Sequence, residues 1–259
     1  MKNPFRFPIG KKREEQPEKI LLLGEDSPFF ETEAYRSLKV NISLSIPKKE
    51  DGSAVSFFLT SYYPNEGKTT VAANLAVMFA RANEKVLLID ADMRKGKIHE
   101  FFGLENKVGL SDCLSGKADV STAVKSTQVE NLFVLPAGHT TPNPYELLGR
   151  NQMQVLYDRL KGEYGYIIVD TPPLGLVSDC LAVIPYTDGC AVVSRYNRSR
   201  YTDLRDLTAQ LRFAQAKVLG VIFNGVQEKK NDVYGKRYGR YGRYSSYGYG
   251  GYGDPVKKQ

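Results

Sequence analysis

The apolar positions of this chain change rhythm near residue 55. Residues 1–20 mix proline with charge and predict an exposed arm. From Thr32 to Ile46, Ala34, Leu38 and Ile42 recur at helical spacing, and Pro47 closes the run. Lys48 to Ser53 is polar and predicts a loop. Beyond it come short runs that are apolar almost throughout: "VSFFLTS", "KVLLID", "NLFVLPA", "YGYIIVD", "GCAVVS" and "KVLGVIFN". Helical stretches separate several of them, among them "KTTVAANLAVMFARAN", "YELLGRNQMQVLYDRL" and "YTDLRDLTAQLRFAQ". A strand with one face in water alternates, whereas a strand covered on both faces does not. The pattern therefore predicts a doubly wound α/β domain around a mostly parallel sheet, with ligands at the carboxyl ends of the strands.

The chain has 259 residues, enough for one large α/β domain with tails or at most two small domains. The expected division is an arm at 1–30, the α/β domain at 31–228 and a tail at 229–259. The formal charge of +7 sits at the ends. Lys229 to Gln259 holds eight basic residues against two acidic, and the first nineteen residues hold six against three, so the body between is close to neutral. No apolar run approaches the ~18–20 residues that span a bilayer. The start has basic residues but no apolar h-region, which predicts no signal peptide and a cytosolic protein. Cys113, Cys180 and Cys190 are dispersed and odd in number, so buried thiols are expected, not disulfides or a metal site. His99 and His139 lack metal-ligand spacing and read as surface residues.

The tail, "YGKRYGRYGRYSSYGYGGYG", has no aliphatic side chain and cannot build a core. It carries Tyr234, Tyr238, Tyr241, Tyr244, Tyr247, Tyr249 and Tyr252. Its composition predicts disorder in the free state. Interleaved Arg and Tyr suit nucleic acid, whose phosphates they neutralise and whose bases they stack on. Tyrosines spaced by Gly and Ser equally suit a kinase substrate, because each hydroxyl can enter an active site unobstructed.

The first apolar strand ends in "SYYPNEGKTT", and Gly67-Lys68-Thr69 matches the end of a phosphate-binding loop between strand and helix. There, backbone N–H groups hold phosphate oxygens, Lys68 reaches the β and γ phosphates, and Thr69 can ligate Mg²⁺. Tyr62 stands where the usual motif begins with glycine. Asp90 and Asp92 end the second strand, and Asp170 ends the fourth, where a carboxylate serves Mg²⁺. Any one of them also reads as a helix cap or turn residue. Together with a strand–GKT–helix they predict nucleotide hydrolysis or phosphoryl transfer. Arg94 and Lys95 follow closely enough to meet phosphate or an acidic partner, or simply to face water.

"SYYPNEGKTT", "LLIDADMRK" and "IIVDTPP" resemble the Walker A, A′ and B motifs of bacterial tyrosine kinases, the cytoplasmic catalytic subunits of capsule and exopolysaccharide systems. "EAYRSLK" resembles that family's Glu-x-x-Arg-x-x-Arg oligomerisation motif, carried here by Glu33, Arg36 and Lys39, with lysine replacing the last arginine. "GHTTPNPYELL" resembles its Gly-x-x-Pro-Pro-Asn-Pro-x-Glu-Leu-Leu segment, with Thr141 for the first proline. The likeness covers residues ~30–225, and the Tyr-rich tail stands where the family has its autophosphorylation cluster. The partitioning and cell-division ATPases share these motifs but carry a signature lysine where this chain has Tyr63, which favours the kinase.

The resemblance implies a P-loop fold of the deviant Walker A type that binds ATP along Glu66, Gly67, Lys68, Thr69 and Thr70, with Asn224 near the adenine. It implies Mg²⁺ at Thr69, Asp92 and Asp170, and Asp90 as acceptor of the tyrosine proton. It implies autophosphorylation of the tail between subunits of a homo-oligomer, an octameric ring that phosphorylation dissolves. The remaining implied partners are a separate transmembrane activator and a cognate tyrosine phosphatase, with no nucleic acid. The enzyme would be cytoplasmic and recruited to the inner face of the membrane.

Overall fold

The computed structural model describes residues 22–24 and 26–226. Its first half runs α1 (Phe29–Ser45), β1 (Val55–Ser61), α2 (Lys68–Ala80), β2 (Val86–Asp90), α3 (Ile98–Phe101), α4 (Leu110–Leu114), α5 (Val120–Ala123), β3 (Lys125–Ser126) and β4 (Leu132–Leu135). There follow α6 (Pro144–Leu148), α7 (Asn151–Leu160), β5 (Tyr166–Asp170), a 3-10 helix (Asp179–Tyr186), β6 (Gly189–Arg195), α8 (Tyr201–Phe213) and β7 (Val218–Asn224). The strands form one sheet in the order β3-β4-β2-β5-β1-β6-β7. All pairings are parallel except the two-residue β3, which lies antiparallel on β4.

The predicted runs become strands because both of their faces are covered. Every residue of β1, β2 and β5 is buried. Successive side chains point to opposite faces, so each strand feeds two cores. Val55, Phe57, Leu59, Leu88 and Ile168 pack with Val71, Leu75 and Phe79 of α2 and Ile42 of α1. Phe58, Ile89, Ile167 and Val192 pack on the other face with Leu148, Met153, Leu160, Leu207 and Leu211 of the later helices. Each such large side chain contributes roughly 1.5–3 kcal/mol by leaving water. The two cores thus hold the strand ends, and whatever is mounted on them, in fixed register.

Three local expectations are corrected. Ala34 is exposed, and the packed stripe of α1 is Tyr35, Leu38 and Ile42, because the larger aromatic ring fills the gap against α2. The stretch 145–160 is two helices, because Arg150 is extended at φ −79°, ψ 158° after the poor helix-former Gly149. β7 is an edge strand, and Val221 and Phe223 are exposed. Helices α3 to α5 are too short for a periodic signal to register. Cys180 and Cys190 are buried as expected, Cys113 is half-buried, and none of the three is in a disulfide.

Candidate active site

The sheet order brings the motifs together. β5 lies between β1 and β2, and Asp90 stands directly across from Asp170 in the β2–β5 register. The loop leaving β1 therefore passes over the end of β5. Gly67 turns it into α2 at φ +85°, a left-handed conformation that favours glycine. A Cβ on Gly67 would lie 1.8 Å from Asn224 Nδ2, and that amide donates to the Glu66 carbonyl at 3.0 Å. No side chain caps α2, so its first-turn amides stay available to an anion.

Lys68 Nζ donates to Asp170 Oδ1 at 2.9 Å, and Thr69 Oγ1 donates to Asp170 Oδ2 at 2.7 Å. The ion pair is buried on both sides. Burial works against the Lys68 charge, but Asp170, then Asp92 and Asp90, hold its pKa above the ordinary lysine value. Thr70 follows on α2.

Glu66 is buried and turned inward. Its Oε2 accepts the Tyr62 and Tyr63 N–H groups, both at 3.0 Å, and its Oε1 accepts the Arg195 N–H at 3.4 Å and the Ser199 hydroxyl. One carboxylate thus ties the β1–α2 loop to the turn after β6. Behind it, Gly175 lets the segment after β5 close on the loop, since a Cβ there would lie 2.3 Å from the Tyr62 carbonyl oxygen.

Asp90 and Asp92, two residues apart, differ sharply. Asp90 is fully buried: Oδ1 accepts the Asp92 N–H at 3.2 Å and Oδ2 accepts the Ile98 N–H at 3.0 Å. Burial, and then Asp170, push its pKa up to about 8. A cation bound nearby would pull it back down. Asp92 is half-buried at the lip, with Oδ1 accepting the Arg94 and Lys95 N–H groups at 3.3 and 3.0 Å. The arginine of this loop finds its acidic partner inside the chain: Arg94 Nε and Nη2 grip buried Asp179 at 2.6 and 3.1 Å, while Lys95 is exposed. Arg94 and Asp179 border a cavity of about 390 Å³ lined also by Asn143, Tyr145, Glu146 and Leu176.

The donor set fits Mg²⁺. Among the described residues no three His, Cys, Asp or Glu side chains converge as in a dedicated metal site. Mg²⁺ beside phosphates needs only one or two carboxylates and hard oxygens, which Thr69, Asp170 and Asp92 offer.

His139 and Asp112 share a role that spacing hid. Exposed His139 bonds through Nδ1 to Asp112 Oδ1 at 2.8 Å, and Asp112 Oδ2 accepts the Gly109 N–H at 3.0 Å, which pins the "GHTTPNP" segment to α4. His99 is half-buried, not a surface residue, and its Nδ1 has no partner among the described residues. Glu33, Arg36 and Lys39 lie on α1, where Glu33 and Arg36 form an ion pair with each other. The tail tyrosines fall outside the described residues.

A family model described as an AAA domain matches residues 65–198. The putative tyrosine-protein kinase CapB of Staphylococcus aureus is 35% identical over 208 residues, which is 80% of this chain and 90% of CapB. The chain belongs to the bacterial tyrosine kinases of capsule systems. The crystal structure of the chimerical protein CapA2B2 superposes on this kinase with a TM-score of 0.72 at 33% identity, over 78% of this chain and 87% of the other. The septum site-determining protein MinD of Pyrococcus horikoshii, complexed with Mg-ADP, has a lower TM-score of 0.58 at 28% identity, over 68% and 72% of the two chains. The kinase therefore has the P-loop fold that MinD shares. Among its described residues no helix is long and apolar enough to cross a membrane.

Proposed function

We propose that this kinase transfers the γ-phosphoryl group of ATP to protein tyrosine, and that the tyrosines of its own tail, 234 to 252, are its first substrates. The observation that carries the reading is the convergence of Lys68 and Thr69 on Asp170, at 2.9 and 2.7 Å, beside Asp90 and Asp92. Phosphoryl transfer asks for positioning and charge neutralisation more than covalent help. The loop amides at the start of α2 hold the phosphates, and Lys68 neutralises charge as it develops on the γ-phosphoryl oxygens. Thr69, Asp92 and Asp170 would hold Mg²⁺, which when bound clamps the phosphates and shields their charge. Asp90 takes the phenolic proton: each of its oxygens accepts one backbone N–H and keeps a lone pair. Asn224, bonded to the phosphate loop, places the adenine side at the end of β7.

The tail's positive charge suits approach to strand-end carboxylates and ATP phosphates of a neighbouring subunit. Each phosphotyrosine adds about −1.5 to −2 charge, so a few reverse the tail's sign and release it. In this reading Glu33, Arg36 and Lys39 face a neighbour in an octameric ring. A separate transmembrane protein recruits the enzyme to the inner membrane face. A tyrosine phosphatase resets it.

Mass spectrometry after incubation with Mg-ATP should find phosphate on the tail. Replacing all seven tail tyrosines by Phe should abolish most self-labelling yet preserve transfer to an added tyrosine peptide. A tail without phosphotyrosine overturns the reading.

A further inference from the structure

The turn between β6 and α8, with the strand and helix residue on either side of it, reads "RYNRSRY", residues 195–201. Every Arg-Tyr dipeptide of the chain lies either in this turn (Arg195-Tyr196, Arg200-Tyr201) or in the tail (Arg237-Tyr238, Arg240-Tyr241, Arg243-Tyr244). The turn projects from the body, with Asn197 in the left-handed region at φ 59°. Tyr196 is 48% and Tyr201 81% exposed, the latter the most open tyrosine among the described residues. Arg195, Arg198 and Arg200 form no ion pair among those residues.

The same turn is fastened to the nucleotide loop. Besides the Glu66 bonds, the Arg195 and Arg198 guanidinium groups donate to the Asn65 carbonyl at 3.4 and 3.3 Å, and the Tyr196 N–H donates to the Asn224 carbonyl at 2.9 Å. A charge placed on this turn therefore acts on the loop that holds the phosphates.

We propose that Tyr196 and Tyr201 are further phosphorylation sites, modified by a second copy of the enzyme, and that their phosphates loosen the nucleotide loop. The proposal rests on the tyrosine-kinase reading above. In the transfer step the tyrosine Oη attacks the γ-phosphorus of ATP held by the second copy. The bond from that phosphorus to the β,γ-bridging oxygen breaks, ADP leaves, and the phenolic proton passes to a carboxylate of that copy. Each new phosphate adds about −1.5 to −2 charge to a turn whose three arginines have no acidic partner among the described residues. Charge-assisted bonds to phosphate outcompete bonds to a neutral carbonyl, so Arg195 and Arg198 leave Asn65. On Tyr201 the phosphate also sits at the first turn of the 13-residue α8, where the helix dipole favours it.

The test uses a full-length acceptor carrying Lys68→Met and Phe at all seven tail tyrosines, incubated with wild-type enzyme and Mg-ATP. Peptide mass spectrometry should place phosphate on Tyr196 or Tyr201 of the acceptor. A labelled wild-type tail beside an unlabelled acceptor turn, or acceptor label confined to other tyrosines such as Tyr63 or Tyr145, overturns the proposal alone. Phosphotyrosine nowhere overturns the kinase reading with it. Because Lys68→Met alters a buried pair, the tail-Phe enzyme with Lys68 intact serves as a second acceptor. Its ADP affinity should fall about fivefold after phosphorylation, the loss of two modest hydrogen bonds. Tyr196→Phe/Tyr201→Phe on that background should abolish the fall, and an affinity unchanged by phosphorylation of the turn defeats the loosening.

Discussion

The β1–α2 turn and the β6–α8 turn leave neighbouring parallel strands at the same end of the sheet, yet they are built in opposite ways. α2 buries eleven of its thirteen residues, Lys68 included, and α8 buries only Leu207 and Leu211. A helix sealed between the sheet and α1 holds its first turn rigidly, and there a buried ammonium is tolerable because Asp170 compensates it. A helix with one face in water presents its first turn to solvent, and that turn can carry arginines and tyrosines at no desolvation cost. Glu66 couples the two through its backbone and hydroxyl partners. Rigid chemistry thus sits inside, and the residues open to modification sit outside, one carboxylate apart.

The inner turn is most sensitive at Lys68. Lys68→Met should lower tyrosine phosphorylation by on the order of 10²-fold or more, the scale for losing a charge-stabilising group. Phosphotyrosine formation at the wild-type rate in a folded variant would show that the sealed turn is not the chemical one. Next comes Gly67→Ala, which forces a side chain into the left-handed region at a cost of about 1–2 kcal/mol and against the Asn224 amide. ADP affinity, read by calorimetry, should fall by about tenfold, and binding at wild-type strength would mean that this junction is soft.

Glu66→Gln probes the coupling itself. A glutamine amide must turn an N–H toward one of the two donor pairs that the carboxylate accepts, so stability should drop by about 1–3 kcal/mol in urea unfolding. A variant as stable as wild type would mean that the turns are held independently.

The smallest effect is expected where the same device recurs on a smaller scale. Asp112 joins Gly109 to the Gly138–His139 segment. Its burial raises the pKa, but the Gly109 hydrogen bond, then those from His139, bring it below the ordinary 3.8. A carboxylate depressed on folding stabilises above its unfolded pKa, and that contribution disappears as pH falls through the folded one. Asp112→Asn should therefore be less stable than wild type at neutral pH, and the gap should close below about pH 4. A gap independent of pH would place the effect in packing alone.

Much of this site was legible in the chain because its signals are local. Apolar runs mark the buried strands, Gly-Lys-Thr marks the junction, and aspartates at strand ends mark the open side. Glu33, Arg36 and Lys39 were legible as a helix face, and within α1 Glu33 and Arg36 satisfy each other. Arg195, Ser199 and Asp179 left no motif, because their partners are more than eighty residues away. A cue existed in Gly96 and Gly175, each just beyond a strand-end aspartate. A Cβ on Gly96 would lie 2.8 Å from Asp90 Oδ2, so that glycine is part of the wall around the carboxylate.

The α/β class, the parallel sheet, the Gly-Lys-Thr junction and the three strand-end aspartates could be read along the chain, because periodicity and strand-end position depend only on neighbouring residues. The packing of the sheet set which carboxylate meets Lys68, that Asp90 is buried while Asp92 stands at the lip, and that Glu66 belongs to two turns at once. Those outcomes follow from β5 lying between β1 and β2, with β6 on the far side of β1. Strand order is set by how two separate cores fill the faces of the sheet, and no local run of residues encodes it.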